Sequence, residues 1–205
     1  MSTLSTLKSS LSRYLGAQYI YNGDQQTAAL NYARKYILLN YYVDEFCVET
    51  TLTFTSGKAT IPSDYLRRVK LYTTSDATDE YDRVNVNDFD SDISKTWTIK
   101  DDSGTRKIWV SPDSTTSLTL RYIKLPSDMS SDSDTSYFNT WWDDAHCLIA
   151  AWWLLFNDRQ PEAANKLTMA NELLQTVLRQ QSEDEEELQT VSTYFDDHLL
   201  LNEDV

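Results

Sequence analysis

The sequence predicts an α+β protein: mainly a bundle of four helices, with an inserted antiparallel β subdomain and an extended C-terminal tail. Three observations predict it. Apolar residues recur at helical spacing near both ends of the chain. Between them the pattern switches to strand-like alternation. From Glu183 to Val205 there are nine acids and no Lys or Arg. These shifts divide the chain into 1–44 (first half of the bundle), 45–126 (β insertion), 127–182 (second half) and 183–205 (acidic arm).

The first helix carries Leu4, Leu7, Leu11 and Leu15 along one stripe, and Gly16 is its stop. A second helix is expected from Asp24, whose carboxylate can cap the next turn. Leu30, Ala33, Ile37 and Tyr41 share its inner face. After Val43, alternation of Val48, Thr50, Leu52 and Phe54 marks a strand. "TSGK" and "ATI" then read as the turn and return of a hairpin. "PSDYLRRVKLYTT" gives a turn and a strand. "TWTIKDDSGTRKIWVSP" gives a second hairpin, turning at Asp-Asp-Ser-Gly. "SLTLRYIKLP" supplies one more strand. "SDMSSDSDTSYF" has no periodicity and reads as a polar linker. Helix resumes near Phe138 and runs to about Asn157. Pro161 suits the first turn of a last helix bearing Ala163, Leu167, Ala170, Leu174 and Val177. Four amphipathic helices bury their stripes against one another.

Composition narrows the function. The net charge is −14, and the first 182 residues hold 23 of the 32 acids against all 18 bases. A mildly acidic body with a strongly acidic tail is the wrong surface for gripping DNA. Cys47 and Cys147 form neither a zinc pattern nor a disulfide framework, and are expected as free, packed thiols. The N-terminus lacks the apolar core of a signal peptide, and no apolar run is long enough for a spanning helix. The chain is expected to be assembled in a cytosol.

The segment "WWDDAHCLIAAWWLLFND" invites three readings: a membrane span, a reactive site, or a buried seam. Its unbroken apolar stretch, Cys147 to Phe156, covers about half a bilayer. His146 and Cys147 are adjacent and point in different directions on a helix. Asp143 could face His146, but no nucleophile joins them, and His198 has no partner at metal-ligand spacing. The seam remains. Trp141, Trp142, Ile149, Trp152, Trp153 and Phe156 are the expected bundle core or subunit contact. Catalytic, cofactor-binding and metal-ligating residues are all expected to be none, since no phosphate loop or nucleophile elbow is present. Arg67, Arg68 and Lys70 read as a solvated strand edge, or as partners for acids across a subunit contact. In the tail, Tyr194, Phe195, Leu199, Leu200 and Leu201 are too apolar for a merely soluble arm: it either packs back on the body or, the favoured expectation, docks on a partner and folds there.

The order of elements, with Pro62, Asp64, Tyr65, Leu66 and Arg67 in one turn and Tyr122, Leu125 and Pro126 at a later strand end, resembles the head-to-tail adaptor (connector) proteins of tailed bacteriophages. The resemblance spans roughly residues 4 to 180. It implies a structural virion protein without chemistry of its own, at the capsid–tail junction. It also implies a homo-oligomeric ring, most often a dodecamer, seated on the portal protein. A tail nozzle or stopper protein lies below, and genomic DNA passes without specific binding. It implies too that the C-terminal segment reaches the portal. A tail-completion or stopper protein is the alternative. A small hydrolase or lyase, or a cellular module whose acidic tail binds a basic partner, stands further off.

Overall fold

A computed structural model describes residues 1–91, 93–111 and 117–184. It contains four α-helices: α1 (Leu4–Leu15), α2 (Gly23–Asn40), α3 (Asp143–Asn157) and α4 (Ala163–Asp184). Eight strands lie between α2 and α3: β1 (Cys47–Thr53), β2 (Lys58–Thr60), β3 (Tyr65–Thr73), β4 (Asp76–Glu80), β5 (Asp82–Arg83), β6 (Thr96–Asp102), β7 (Thr105–Ser111) and β8 (Ser117–Lys124). The chain divides into two compact units. One comprises Met1–Arg34 with the described part of Met129–Val205, and the other Lys35–Asp128. The division falls inside α2, where helical periodicity is unbroken and leaves no mark in the sequence.

In the helical unit, Leu4, Leu7, Leu11 and Leu15 are all buried. The Thr3 hydroxyl accepts from the Thr6 amide at 3.3 Å. Gly16 ends α1 at φ +85°, a conformation that favours glycine. The cap of α2 is Asn22 rather than the expected Asp24. Asn22 Oδ1 accepts from the Gln25 amide at 2.9 Å, and Gln25 Oε1 accepts from the Asn22 amide at 3.0 Å. This reciprocal box needs an amide or acid just before the first helical residue, Gly23, and Asp24 already lies in the first turn. Leu30 and Ala33 are fully buried; further along α2, in the other unit, Ile37 is fully buried and Tyr41 falls just past the helix end, half-buried. On α4, Ala163, Ala170, Leu174 and Val177 are buried. Pro161 precedes that helix by two residues instead of entering its first turn.

The expected polar linker is in fact a strap. Asp134 O accepts from the Leu4 amide at 2.7 Å, Asp132 O from the Ser5 amide at 3.2 Å, and Ser2 O from the Ser136 amide at 3.1 Å. The strap thus satisfies amides that the start of α1 leaves open. Asn31 clamps its beginning: Nδ2 donates to Met129 O and Oδ1 accepts from Met129 N, both at 2.9 Å. Met129, Ser136 and Phe138 are buried. Scarce apolar residues hid this order, because backbone groups do most of the holding.

In the β unit the strands form two four-stranded sheets, ordered β1-β8-β3-β4 and β2-β7-β6-β5. Leu71, Leu118, Leu120 and Tyr122 from the first meet Ala59, Trp97, Ile108 and Val110 from the second in one core. The β6–β7 hairpin forms as expected, with Ser103 (φ +56°) and Gly104 (φ +81°) in its two-residue turn. The β1–β2 hairpin does not. Its turn closes at Thr55 and Lys58, but β1 pairs with β8 and β2 with β7, so the strands part into different sheets. The insertion is also not wholly antiparallel, because β5 lies parallel to β6. Strands β4 and β5 are polar and lacked an alternating signal. Arg67, Arg68 and Lys70, read as a solvated edge, lie on the stretch of β3 that pairs with β8 alone, and all three are half-buried. Arg67 donates to Tyr41 O, Lys70 pairs with Glu80 at 2.9 Å, and Arg68 lies 5.8 Å from the Trp97 ring.

Candidate functional site

Helix α3 and the 3-10 turn before it, Thr140–Trp142, hold the aromatic residues at very different exposures. Trp142 and Ile149 are fully buried. Trp142 stacks on Phe138 with centroids 5.7 Å apart. Trp152 and Trp153 are half-buried. Trp141 and Phe156 are open, at 55% and 61% exposure. At the C-terminal end of α3, Tyr32 of α2 stacks on Trp153 at 5.3 Å and tilts against Trp152 at 6.3 Å. Phe156 lies 5.9 Å beyond Trp152. Tyr32, Trp152, Trp153 and Phe156 thus form one aromatic ridge, in which Tyr32 and Phe156 are exposed and Trp152 and Trp153 half-buried. Tyr32 was not singled out in the sequence; as a large ring off the Leu30–Ala33–Ile37 stripe, it was the available signal.

His146 and Cys147 of the same helix are turned inward. His146 is fully buried; its Nε2 lies 2.7 Å from Leu30 O, and Phe138 meets the ring edge-on at 5.3 Å. Burial pushes its pKa down to about 4, with nearby Arg34 adding to the effect. The imidazole is therefore neutral near pH 7, and Nε2 carries the proton given to Leu30 O. Burial pushes the Cys147 thiol up to about 12, with Asp143 and Asp144 contributing. A buried, protonated thiol is a poor nucleophile. Cys47 belongs to the β unit, where its sulfur accepts from Arg121 Nε at 3.1 Å and Arg121 also donates to the Tyr42 hydroxyl at 3.0 Å. Among the described residues, no group of three or more His, Cys, Asp or Glu could hold a metal. Nor is any described helix long and apolar enough to cross a membrane.

The two motif fragments, far apart in sequence, meet in the β unit. The Pro62 carbonyl accepts from the Tyr65 amide at 3.1 Å, closing a turn. Within it, Asp64 Oδ1 accepts from the Tyr122 hydroxyl at 2.8 Å, and Asp64 O accepts from the Leu125 amide at 2.7 Å. The rings of Tyr65 and Tyr122 lie 5.7 Å apart. Burial, then Asp64, pushes the Tyr122 pKa up to about 12. The shared pattern is therefore a structural lock that pins the turn to the end of β8.

The family model described as SU10 adaptor protein matches residues 2–193. The chain belongs to the SU10 adaptor family. It is thus a tailed-phage head-to-tail adaptor. No curated protein matched it. The SU10 adaptor match takes in both halves of the turn lock, the aromatic ridge and the acidic run from Glu183 to Glu187. It stops short of Tyr194, Phe195, Leu199, Leu200 and Leu201, which also lie outside the described residues.

Proposed function

We propose that this adaptor forms a ring beneath the portal, joins capsid to tail and forms part of the DNA exit channel. The observation that carries the proposal is the aromatic ridge Tyr32–Trp153–Trp152–Phe156, half-covered on a chain of the adaptor family. Clustered apolar surface of this kind marks an interaction site. Aromatic residues are also the commonest anchors of subunit contacts. In the ring, the ridge and Trp141 pack against a neighbouring subunit. Burying one such ring contributes about 2 kcal/mol, repeated at every contact around the circle. The C-terminal segment, through Tyr194, Phe195, Leu199, Leu200 and Leu201, makes the portal contact, and the tail nozzle or stopper seats below. Acids line the inner wall, so that like charge keeps the passing DNA from sticking.

The test is negative-stain imaging of purified protein with and without portal. Wild-type protein gives rings on portal. Phe156→Ser combined with Trp152→Ser gives folded monomers that leave portal bare. Wild-type monomers indifferent to portal would overturn the proposal. Direct binding to portal separates an adaptor from a stopper, which sits one layer lower. A chain ending at Ser182 that binds portal as tightly as the whole chain would remove the tail from this role.

A further inference from the structure

We infer that the outer face of the β2-β7-β6-β5 sheet is the seat of the acidic run Glu183–Glu187 from a neighbouring copy. The inference rests on the ring reading above. The register places Lys58 opposite Trp109 and Lys100 opposite Lys107, so these four side chains share a face. The opposite face holds Ala59, Ile108 and Val110 in the core. Lys58 Nζ lies 3.9 Å from the Trp109 ring centroid, and Lys100 Nζ lies 4.4 Å from Phe89 and 5.3 Å from Trp109. One carboxylate serves this group: Asp102 pairs with Lys107 at 2.8 Å and with Lys58 at 3.6 Å. Lys100 has no ion pair among the described residues, so the face keeps an excess of positive charge. Trp109 Nε1 is buried and finds no acceptor among them. A carboxylate laid on the face would answer the charge of Lys100.

The chain itself carries a fitting occupant. Glu183, Asp184, Glu185, Glu186 and Glu187 are consecutive, and no Lys or Arg follows. Helix α4 has 22 residues against 15 in its partner α3, and its last buried described side chain is Val177. The first two acids, Glu183 and Asp184, follow about 9 Å further along the helix axis. Glu183 and Asp184 close the helix, at the negative end of its dipole, where carboxylates are disfavoured. Ammonium groups from a neighbour relieve that repulsion. Duplex DNA is a poorer occupant. It hides its base faces from the rings, and the chain as a whole carries −14.

The experiment uses the full chain. Unlabelled and 15N-labelled protein are mixed, assembled on portal and coupled with a carbodiimide, which joins carboxylates to amines at contact distance. Mass spectrometry should find Lys58 joined to Glu183–Glu187 of the other isotope. Lys100→Gln with Lys107→Gln should lower that Lys58 yield about fivefold, the size expected from two exposed charge pairs, and added salt should do the same. Links confined to one isotope, or an unchanged yield in the double variant, overturn the inference. So does loss of duplex-DNA retention in that variant with its Lys58 links intact. Rings are counted in the same samples. Rings without these links sink only this inference, whereas failure to form rings sinks the ring reading as well.

Discussion

Acid should weaken this protein through one buried side chain, His146. Its imidazole is held neutral, with a pKa pushed down to about 4 by burial, and it donates to Leu30 O. In the unfolded chain the same group titrates near 6.5. Between those values the unfolded state binds more protons than the folded one. Stability is therefore intact above pH 6.5 and is lost as pH falls toward 4, by about 1.4 kcal/mol per pH unit. From pH 7.5 to 5 the loss comes to about 2 kcal/mol, and it levels off below 4 at about 3 kcal/mol. The assay is urea unfolding across that range, comparing wild type with His146→Gln. Glutamine keeps an N–H for Leu30 O and does not titrate. All other side chains are common to both chains and cancel in the difference. The wild-type chain should lose about 2 kcal/mol more than the variant by pH 5. Parallel curves for the two chains would refute the assignment of a neutral, acid-sensitive His146.

Three other outcomes follow from the packing. Tyr122→Phe removes the bond to Asp64 and should cost about 1.5 to 3 kcal/mol, as for hydrogen bonds to charged groups, read from the urea midpoint. Trp142→Ala empties a fully buried site beside Phe138 and should cost about 3 to 5 kcal/mol, read the same way. Gly104→Ala meets no atom within 4 Å, so its only cost is the left-handed backbone at φ +81°. It should lower stability by about 1 kcal/mol without altering the hairpin, read by thermal unfolding and amide exchange.

Elements whose own side chains carry the burial were legible in the sequence. The leucines of α1, the small-residue stripe of α4 and the β6–β7 turn announce themselves by period and by glycine. The strap from Met129 to Phe138 did not, because it is held by amides and by Asn31, whose partners lie far off in sequence. The parting of β1 and β2 was equally invisible: a turn sequence specifies a local reversal, not which sheet each arm will join. In the candidate site, the α3 aromatics stood out by composition alone. Which of them stay open is decided by the fold, which buries Trp142 and leaves Trp141 and Phe156 exposed. The Lys58–Trp109–Lys100 face needed strand register, since its residues come from three strands.

The Asn31 clamp has a corollary. The chain departs for its β excursion after Arg34 and re-enters at Met129, and the two crossings are fastened to each other by a pair of 2.9 Å bonds. Whatever is strung between them hangs from a closed neck. A longer or shorter excursion between them should therefore leave the Asn31–Met129 bonds in place.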